Sequence, residues 1–126
     1  MCNQKFYICK HCGNLIGFIH NTGVPIICCG ESMTEMEANT VDASHEKHLP
    51  QITVDGNTVS VKIGSVPHPM LAEHFIEWVY LQTEKGGQRK CLKPGDTPEA
   101  VFALHDDKPV AAFAFCNLHG LWKTEL

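Results

Sequence analysis

The pattern of apolar and polar positions predicts a chain built mainly from short β-strands. Residues 52–54 and 58–63 alternate with a period of two on either side of Asp55-Gly56-Asn57, a turn sequence that predicts a β-hairpin. Further runs of branched and aromatic residues predict strands over residues 75–83, 100–104 and 110–115. Because helical spacing is weak and turn residues recur between these runs, we expect an all-β fold with an antiparallel β-sandwich.

The N-terminal part of the chain has a different pattern. Residues 1–36 are dense in Cys and Gly and have no long apolar periodicity, so this segment cannot form a core unaided. Polar residues 37–47 then read as a linker that leads into the predicted sandwich. We therefore predict two domains, a small metal-stabilised module over residues 1–36 and a β-sandwich domain over residues 37–126.

Composition and charge exclude several classes of partner. The 126 residues carry a formal net charge of −4 and no run of Lys or Arg, which argues against a nucleic-acid partner. No stretch of about 18 apolar residues predicts a membrane span, and the first residues lack the apolar core of a signal peptide. We expect a soluble, cytoplasmic protein with no membrane partner.

The cysteines indicate a metal site. Their number, seven, is odd, so a complete disulfide framework would leave one unpaired. Four of them occur as Cys9-x-x-Cys12 and the adjacent pair Cys28-Cys29, each pair followed by Gly. Four thiolates suit a tetrahedral Zn²⁺ or iron site, and both metals remain open, although the adjacent pair would distort the tetrahedron and favours iron. The glycines allow backbone amides to turn towards the sulfurs.

A second group of metal-binding residue types lies in or beside the loops of the predicted sandwich. A single His is more often a core or surface residue than a ligand, but His68 stands between two prolines and Cys116-x-x-His119 forms a local chelate. Five ligands are too many for closed tetrahedral zinc and could occupy five corners of an octahedron around iron, leaving the sixth for a small molecule. The set comprises His48, His68, His74, Cys116 and His119.

Blue copper is the nearest alternative for this second group, since such a site uses two His, one Cys and a weak axial Met. No Met follows His119, however, and Met70 lies between His68 and His74. The preceding pair Glu46-Lys47 would ordinarily be read as exposed charges. Beside an open metal position, Lys47 would attract an anionic substrate and organise a water as proton donor, and Glu46 could enter the open position after oxidation and help to expel product.

These motifs together closely resemble desulfoferrodoxin, the two-iron class of superoxide reductase, over essentially the whole chain. The matching segments are Cys9-x-x-Cys12 with Cys28-Cys29, Glu46-Lys47-His48-x-Pro50, Gly64-Ser65-Val66-Pro67-His68-Pro69-Met70, His74-x-Ile76-Glu77-Trp78, Leu92-Lys93-Pro94-Gly95-Asp96 and Cys116-Asn117-Leu118-His119-Gly120-x-Trp122-Lys123. Cys2 and Cys91 fall outside the pattern, and we expect both to be free thiols.

The resemblance implies two iron ions. The first would be held by Cys9, Cys12, Cys28 and Cys29 in a desulforedoxin-like module, and the catalytic one by equatorial His48, His68, His74 and His119 with axial Cys116. It further implies an immunoglobulin-like sandwich, a homodimer and a rubredoxin-like electron donor. The implied activity is one-electron reduction of superoxide to hydrogen peroxide without making oxygen. Two alternatives remain, a two-iron electron carrier without catalysis and a zinc-stapled binding module.

Overall fold

The computed structural model describes residues 3–126, so the prediction for Cys2 lies outside the described residues. The chain divides into two compact units, Asn3–Glu37 and Ala38–Leu126. Among the described residues, no helix has the length and apolar character needed to cross a membrane.

The N-terminal unit is built from very short antiparallel strands. Strands β1 (Phe6–Ile8), β2 (Leu15–Gly17) and β5 (Thr34–Glu35) form a sheet in the order β2-β1-β5, while β3 (Ile27–Cys28) pairs with β4 (Glu31–Ser32). Its buried side chains are few, namely Phe6, Cys9 and Met33. Such a small apolar core needs additional stabilisation, and the cysteine spacing predicts that a bound metal ion provides it.

The second unit is an antiparallel sandwich of seven strands preceded by a single helical turn, α1 (His45–His48). One sheet has the order β10-β7-β6 and the other β12-β11-β8-β9. This arrangement corresponds to strands E-B-A facing G-F-C, with one extra strand beside C, as in immunoglobulin-like domains. The predicted all-β fold class is confirmed. The strands are β6 (Pro50–Asp55), β7 (Thr58–Ile63), β8 (Ile76–Thr83), β9 (Gly86–Cys91), β10 (Glu99–Ala103), β11 (Pro109–Cys116) and β12 (Gly120–Glu125).

Alternate side chains of both sheets fill the space between them. Val59, Val61 and Ile63 point inward from β7, while Leu81 and Phe102 come from β8 and β10, and all are at most 1% exposed. Burying each such side chain contributes roughly 1.5–3 kcal/mol relative to leaving it in water. The inward positions follow the period of two that the sequence shows in 58–63.

Beyond residue 36, three parts of the chain differ from the sequence prediction. Strands β9 and β12 were not predicted, because β9 is polar and exposed and β12 follows a motif read only for its metal ligands. The segment 37–47 is also more than a linker. The side chain of Asn39 exchanges two hydrogen bonds with the backbone of Lys123 on β12, and α1 begins at His45.

One end of the sandwich collects the predicted second group of ligands. Pro50 at the start of β6 pairs with Ile63 at the end of β7, and Ile76 at the start of β8 pairs with Cys116 at the end of β11. The connection from β7 to β8 joins the two sheets at this same end. Antiparallel pairing therefore brings residues far apart in sequence to one edge.

Candidate metal centres

The sulfur atoms of the four predicted N-terminal ligands, Cys9, Cys12, Cys28 and Cys29, all lie within 4.8 Å of one another. The Sγ atoms of Cys12 and Cys28 are 3.6 Å apart. Four sulfurs at tetrahedral corners, each about 2.3 Å from a metal, would be separated by about 3.8 Å. The cluster therefore has the dimensions of a four-thiolate site.

Unusual backbone conformations make this convergence possible. Gly13 and Gly30, which follow the two cysteine pairs, have positive φ angles of 82° and 78°. Cys29 also has a positive φ of 52°, which is uncommon for a residue with a side chain. An extended backbone would direct the adjacent Cys28 and Cys29 to opposite sides, so this conformation is what lets both sulfurs approach the same point.

The electrostatics of the cluster call for a cation. Backbone N–H groups of Cys12 and His11 donate hydrogen bonds to the sulfur of Cys9 and lower its pKa to about 6. The hydrogen bonds between the Cys29 thiol and Cys12 and Cys9 raise the Cys29 pKa to about 12. The Cys9 thiol therefore loses its proton easily and the Cys29 thiol does not, because each further thiolate adds a negative charge beside the others. A bound metal ion removes this repulsion.

The second predicted group also converges. Ligand atoms of His48, His68, His74 and Cys116 lie within 4.8 Å of one another. Neighbouring rings meet nearly edge to face in a closed cycle, with centroid separations of 4.6 Å for His48–His68, 4.7 Å for His68–His74, 5.1 Å for His74–His119 and 4.9 Å for His119–His48. Four imidazoles thus surround one point.

The outer nitrogens of two histidines determine what the inner nitrogens can do. Nδ1–H of His48 donates to the carbonyl of Ser44 at 2.6 Å, and Nδ1–H of His68 donates to the carbonyl of Pro69 at 2.7 Å. Burial lowers the pKa of His48, and lowers that of His68 to about 4, so both rings are neutral at pH 7. Their Nε2 atoms consequently carry lone pairs.

These lone pairs face each other at 3.2 Å, a separation at which they repel unless a cation lies between them. The Nε2 atom of His74 is also buried, without a hydrogen-bond partner among the described residues. Buried polar atoms normally have a partner, and an inward-facing imidazole nitrogen without one is suited to coordinate a metal. The residues present therefore fit a bound metal ion.

His119 completes the cycle of four rings, although it is not among the residues whose ligand atoms all lie within 4.8 Å of one another. Its Nδ1 is 3.1 Å from His48 Nε2 and 3.9 Å from Cys116 Sγ. Two imidazole nitrogens at right-angled corners, each about 2.1 Å from a metal, would be about 3.0 Å apart. The position of His119 suits a further ligand, and its coordination remains a prediction.

The Cys116 sulfur lies on the core side of the cluster. Cys116 is 0% exposed, and burial raises the pKa of its thiol, whereas backbone N–H groups of Leu118 and His119 donate to the sulfur and lower it. His74 and His119 are partly exposed. The thiol is thus enclosed by the sandwich, while the imidazole side of the cluster is nearer to water.

The predicted catalytic pair lies on α1, beside this site. Glu46 and Lys47 are both exposed. The carbonyl of Glu46 accepts hydrogen bonds from Val66 N–H at 3.1 Å and Ser65 Oγ at 3.3 Å. Burial is the main cause that lowers the pKa of His74, and the charges of His119 and Lys47 lower it further against the opposing Glu73. The ammonium of Lys47 therefore acts electrostatically on the histidine cluster.

Supporting residues were not identified from the sequence. The Trp122 ring stacks on His48 with centroids 4.8 Å apart, and its Nε1–H donates to the carbonyl of His119 at 3.1 Å. Trp122 stood within a recognised motif, which is a signal that could have been used. The carbonyls of Ser44 and Pro69 leave no such signal, because any residue supplies a backbone carbonyl.

Taken together, a four-cysteine module joined in sequence to a β-sandwich with a histidine–cysteine cluster defines a protein with two metal sites. A family profile described as Desulfoferrodoxin matches residues 40–125. The desulfoferrodoxin of Nitratidesulfovibrio vulgaris is 47% identical over 126 residues, with 99% of both chains covered. The chain belongs to the desulfoferrodoxin family.

Solved structures agree with this assignment. The superoxide reductase from Treponema pallidum matches with a TM-score of 0.83 and 42% identity, covering 98% of this chain and 100% of that one. A one-iron superoxide reductase from Giardia intestinalis matches with a TM-score of 0.54 and 34% identity, covering 64% of this chain and 99% of that one. The two ligand clusters are those of a two-iron member of the family, as the sequence predicted.

Proposed function

We propose that the chain is a superoxide reductase that converts superoxide to hydrogen peroxide. The reaction consumes one superoxide, one electron and two protons for each peroxide formed, and no oxygen is released. The observation that carries the proposal is the one-sided enclosure of the second site. Cys116 is fully buried, whereas His74 and His119 are partly exposed, so a small solute can approach the imidazole side.

The residues that would hold the catalytic iron are His48, His68, His74, Cys116 and His119. Ferrous iron bound there would supply the single electron, and the Cys116 thiolate would raise the electron density at the metal. The protein fixes two of the imidazoles, those of His48 and His68, in the required tautomer through the carbonyls of Ser44 and Pro69. It also holds the Cys116 sulfur away from water, which protects the thiolate from exchange.

Lys47 has the role of attracting the anion. The formal net charge of the chain is −4, so the protein as a whole repels superoxide and a local cation is needed at the site. Burial of the ring is the main cause that lowers the pKa of His74, and the Lys47 charge is a smaller cause in the same direction, which supports a position of Lys47 near the site. We assign its Nζ–H groups the further task of orienting a water that delivers protons to the product.

Glu46 directly precedes Lys47 on the same helical turn and is exposed. We assign its carboxylate a later role, in which it approaches the open side and displaces the peroxide. A carboxylate is an anion of the same charge as the product's conjugate base, so it competes for the same positive surroundings. The Ser65 and Val66 hydrogen bonds hold only its carbonyl and leave the side chain to move.

The test uses iron-loaded, fully reduced protein mixed with a known amount of superoxide under anaerobic conditions. We expect one peroxide for each superoxide consumed and no oxygen. A dismutase would release oxygen as well, and an electron carrier without catalysis would leave superoxide to decay at its uncatalysed rate. Azide or cyanide should shift the spectrum of the histidine–cysteine site if it is open, and an unchanged spectrum would contradict the proposal.

Several predictions from the sequence accompany this function. A homodimer, a rubredoxin-like electron donor and a cytoplasmic location remain predictions. A transfer of electrons from the four-cysteine site to the second site is a separate question for experiment. Mixing reduced rubredoxin with the oxidised protein and following both metal spectra would test the donor.

A further inference from the structure

Asn117 connects the segment around His74 to Cys116. Its side-chain Oδ1 accepts a hydrogen bond from Phe75 N–H at 2.9 Å, and its Nδ2 donates to the carbonyl of Glu73 at 3.0 Å. Its backbone N–H donates to the carbonyl of Phe75 at 3.2 Å. Three hydrogen bonds from one residue therefore bracket His74, forty-odd positions earlier in the chain.

The geometry of the sheet explains why a side chain is used here. Regular pairing between β8 and β11 ends at Ile76 and Cys116, after an irregularity between Phe115 and Cys116. Beyond that pair the backbone turns towards His119, so it cannot continue the ladder of hydrogen bonds. The Asn117 amide extends the pairing by supplying both an acceptor and a donor to the β8 side.

His74 depends on this support more than its neighbours do. The rings of His48 and His68 are each fixed by a hydrogen bond from Nδ1 to a backbone carbonyl. No hydrogen bond to either ring nitrogen of His74 occurs within residues 3–126. Its backbone is held on one side by the paired hydrogen bonds with Leu71, at 2.9 and 3.1 Å, and on the other side by Asn117.

We infer that Asn117 is a positioning residue that sets His74 relative to Cys116 within the second metal site. The inference rests on that site holding a metal and not on the identity of its substrate. Only a short primary amide meets both requirements, because Asp accepts but does not donate, and Gln places the amide one methylene further away. Residues that support metal ligands typically change metal affinity by about 10–100-fold when mutated.

The chain offers a matched control for the chemistry of the substitution. Asn39 makes the same two-way contact, with Nδ2 donating to Lys123 O at 3.0 Å and Oδ1 accepting from Lys123 N–H at 2.8 Å. Neither Asn39 nor Lys123 belongs to the ligand cluster. Asn117→Asp and Asn39→Asp thus remove the same donor and add the same charge, but only the first acts next to ligands.

Three measurements separate positioning from general stabilisation. They are the iron affinity of the second site by competition with a chelator, the visible spectrum of the oxidised iron-loaded protein, and thermal unfolding of the metal-free protein. For Asn117→Asp we expect an affinity loss of about 10–100-fold and a shifted thiolate–iron absorption band. Unfolding of the metal-free protein should change by a similar amount in both variants, and the spectrum of the four-cysteine site should stay unchanged.

Asn117→Gln is a second variant, which adds no charge and can be measured if Asn117→Asp does not fold. It retains the donor and acceptor, so we expect an affinity between those of the wild type and the Asp variant. The inference would be overturned if the Asn117 variants left the iron affinity and the spectrum of the second site unchanged. It would also be overturned if Asn117→Asp and Asn39→Asp reduced the iron affinity equally. Metal affinity is measured without superoxide, so the role of Asn117 can be tested even if the protein proves not to reduce superoxide.

Discussion

Gly64 gives a sharp test of how the helical turn α1 is held in place. It has a φ of +87°, and a Cβ built there would contact Val66 O and lie 2.8 Å from the carbonyl oxygens of both Glu46 and Lys47. Real Cβ atoms do not approach backbone oxygens so closely, so Gly64→Ala must push α1 away from the 64–66 turn. The same change should displace Lys47 and His48.

Gly56 provides the matched control. It also has a positive φ, +59°, but a Cβ there would meet nothing within 4 Å. Gly56→Ala should therefore cost only the strain of the left-handed conformation, about 1–2 kcal/mol. Gly64→Ala adds the cost of overpacking, about 1–3 kcal/mol, and should total about 2–5 kcal/mol.

The assay is denaturant unfolding of both metal-free variants, followed by iron affinity of the second site and the rate with superoxide. Only Gly64→Ala should reduce affinity and rate, because only that change moves the backbone that carries His48 and Lys47. Equal unfolding free energies for the two variants would refute the steric reasoning. A destabilised Gly64→Ala protein with normal affinity and rate would refute the link between the turn and the site.

Three further changes have defined outcomes. Lys47→Gln should slow the reaction with superoxide roughly tenfold and flatten its salt dependence in stopped-flow measurements. Lys108→Gln, just before the start of β11 and at the end of that strand away from Cys116, should change neither. Equal effects of the two changes would remove Lys47 from the mechanism. The pKa of His68 is lowered from 6.5 to about 4, so as the pH falls the unfolded chain binds a proton at this ring before the folded chain does. The metal-free protein should therefore lose stability against urea between pH 6.5 and pH 4. A stability that stays constant over this range would contradict a neutral His68 ring in the folded protein. Cys29→Ser should abolish the four-cysteine spectrum and leave the second site's spectrum intact, and loss of both spectra would show that the sites are coupled.

The sequence predicted those parts of the fold that local chemistry determines. The hairpin around Gly56 formed as expected, with β6 ending at Asp55 and β7 beginning at Thr58. Strand β9 (Gly86–Cys91) was missed because an exposed edge strand has no apolar alternation and is defined by its pairing with β8. The helical turn α1 was missed because four residues are too few to show helical spacing.

The ligands were easier to predict than their supports. Cys and His carry their chemistry in the side chain, so their spacing suggests a metal before any fold is known. Ser44 and Pro69 act through carbonyls, and Gly64 acts by lacking a side chain, so only the three-dimensional arrangement reveals them. Asn117 is intermediate, since it stood within a recognised motif but its partners, Glu73 and Phe75, lie more than forty positions earlier, just before β8.

The ligands of the first site lie closer together in the sequence than those of the second, so the two sites become complete at different times during translation. The four cysteines are complete once Cys29 has been made, whereas His48 and His119 are 71 positions apart. Domains commonly fold from the N-terminus as the chain emerges, and closing a long loop waits for both of its ends. A nascent chain can therefore capture metal at the first site while the second is still without Cys116, so a shortage of metal during translation would leave the two sites unequally filled.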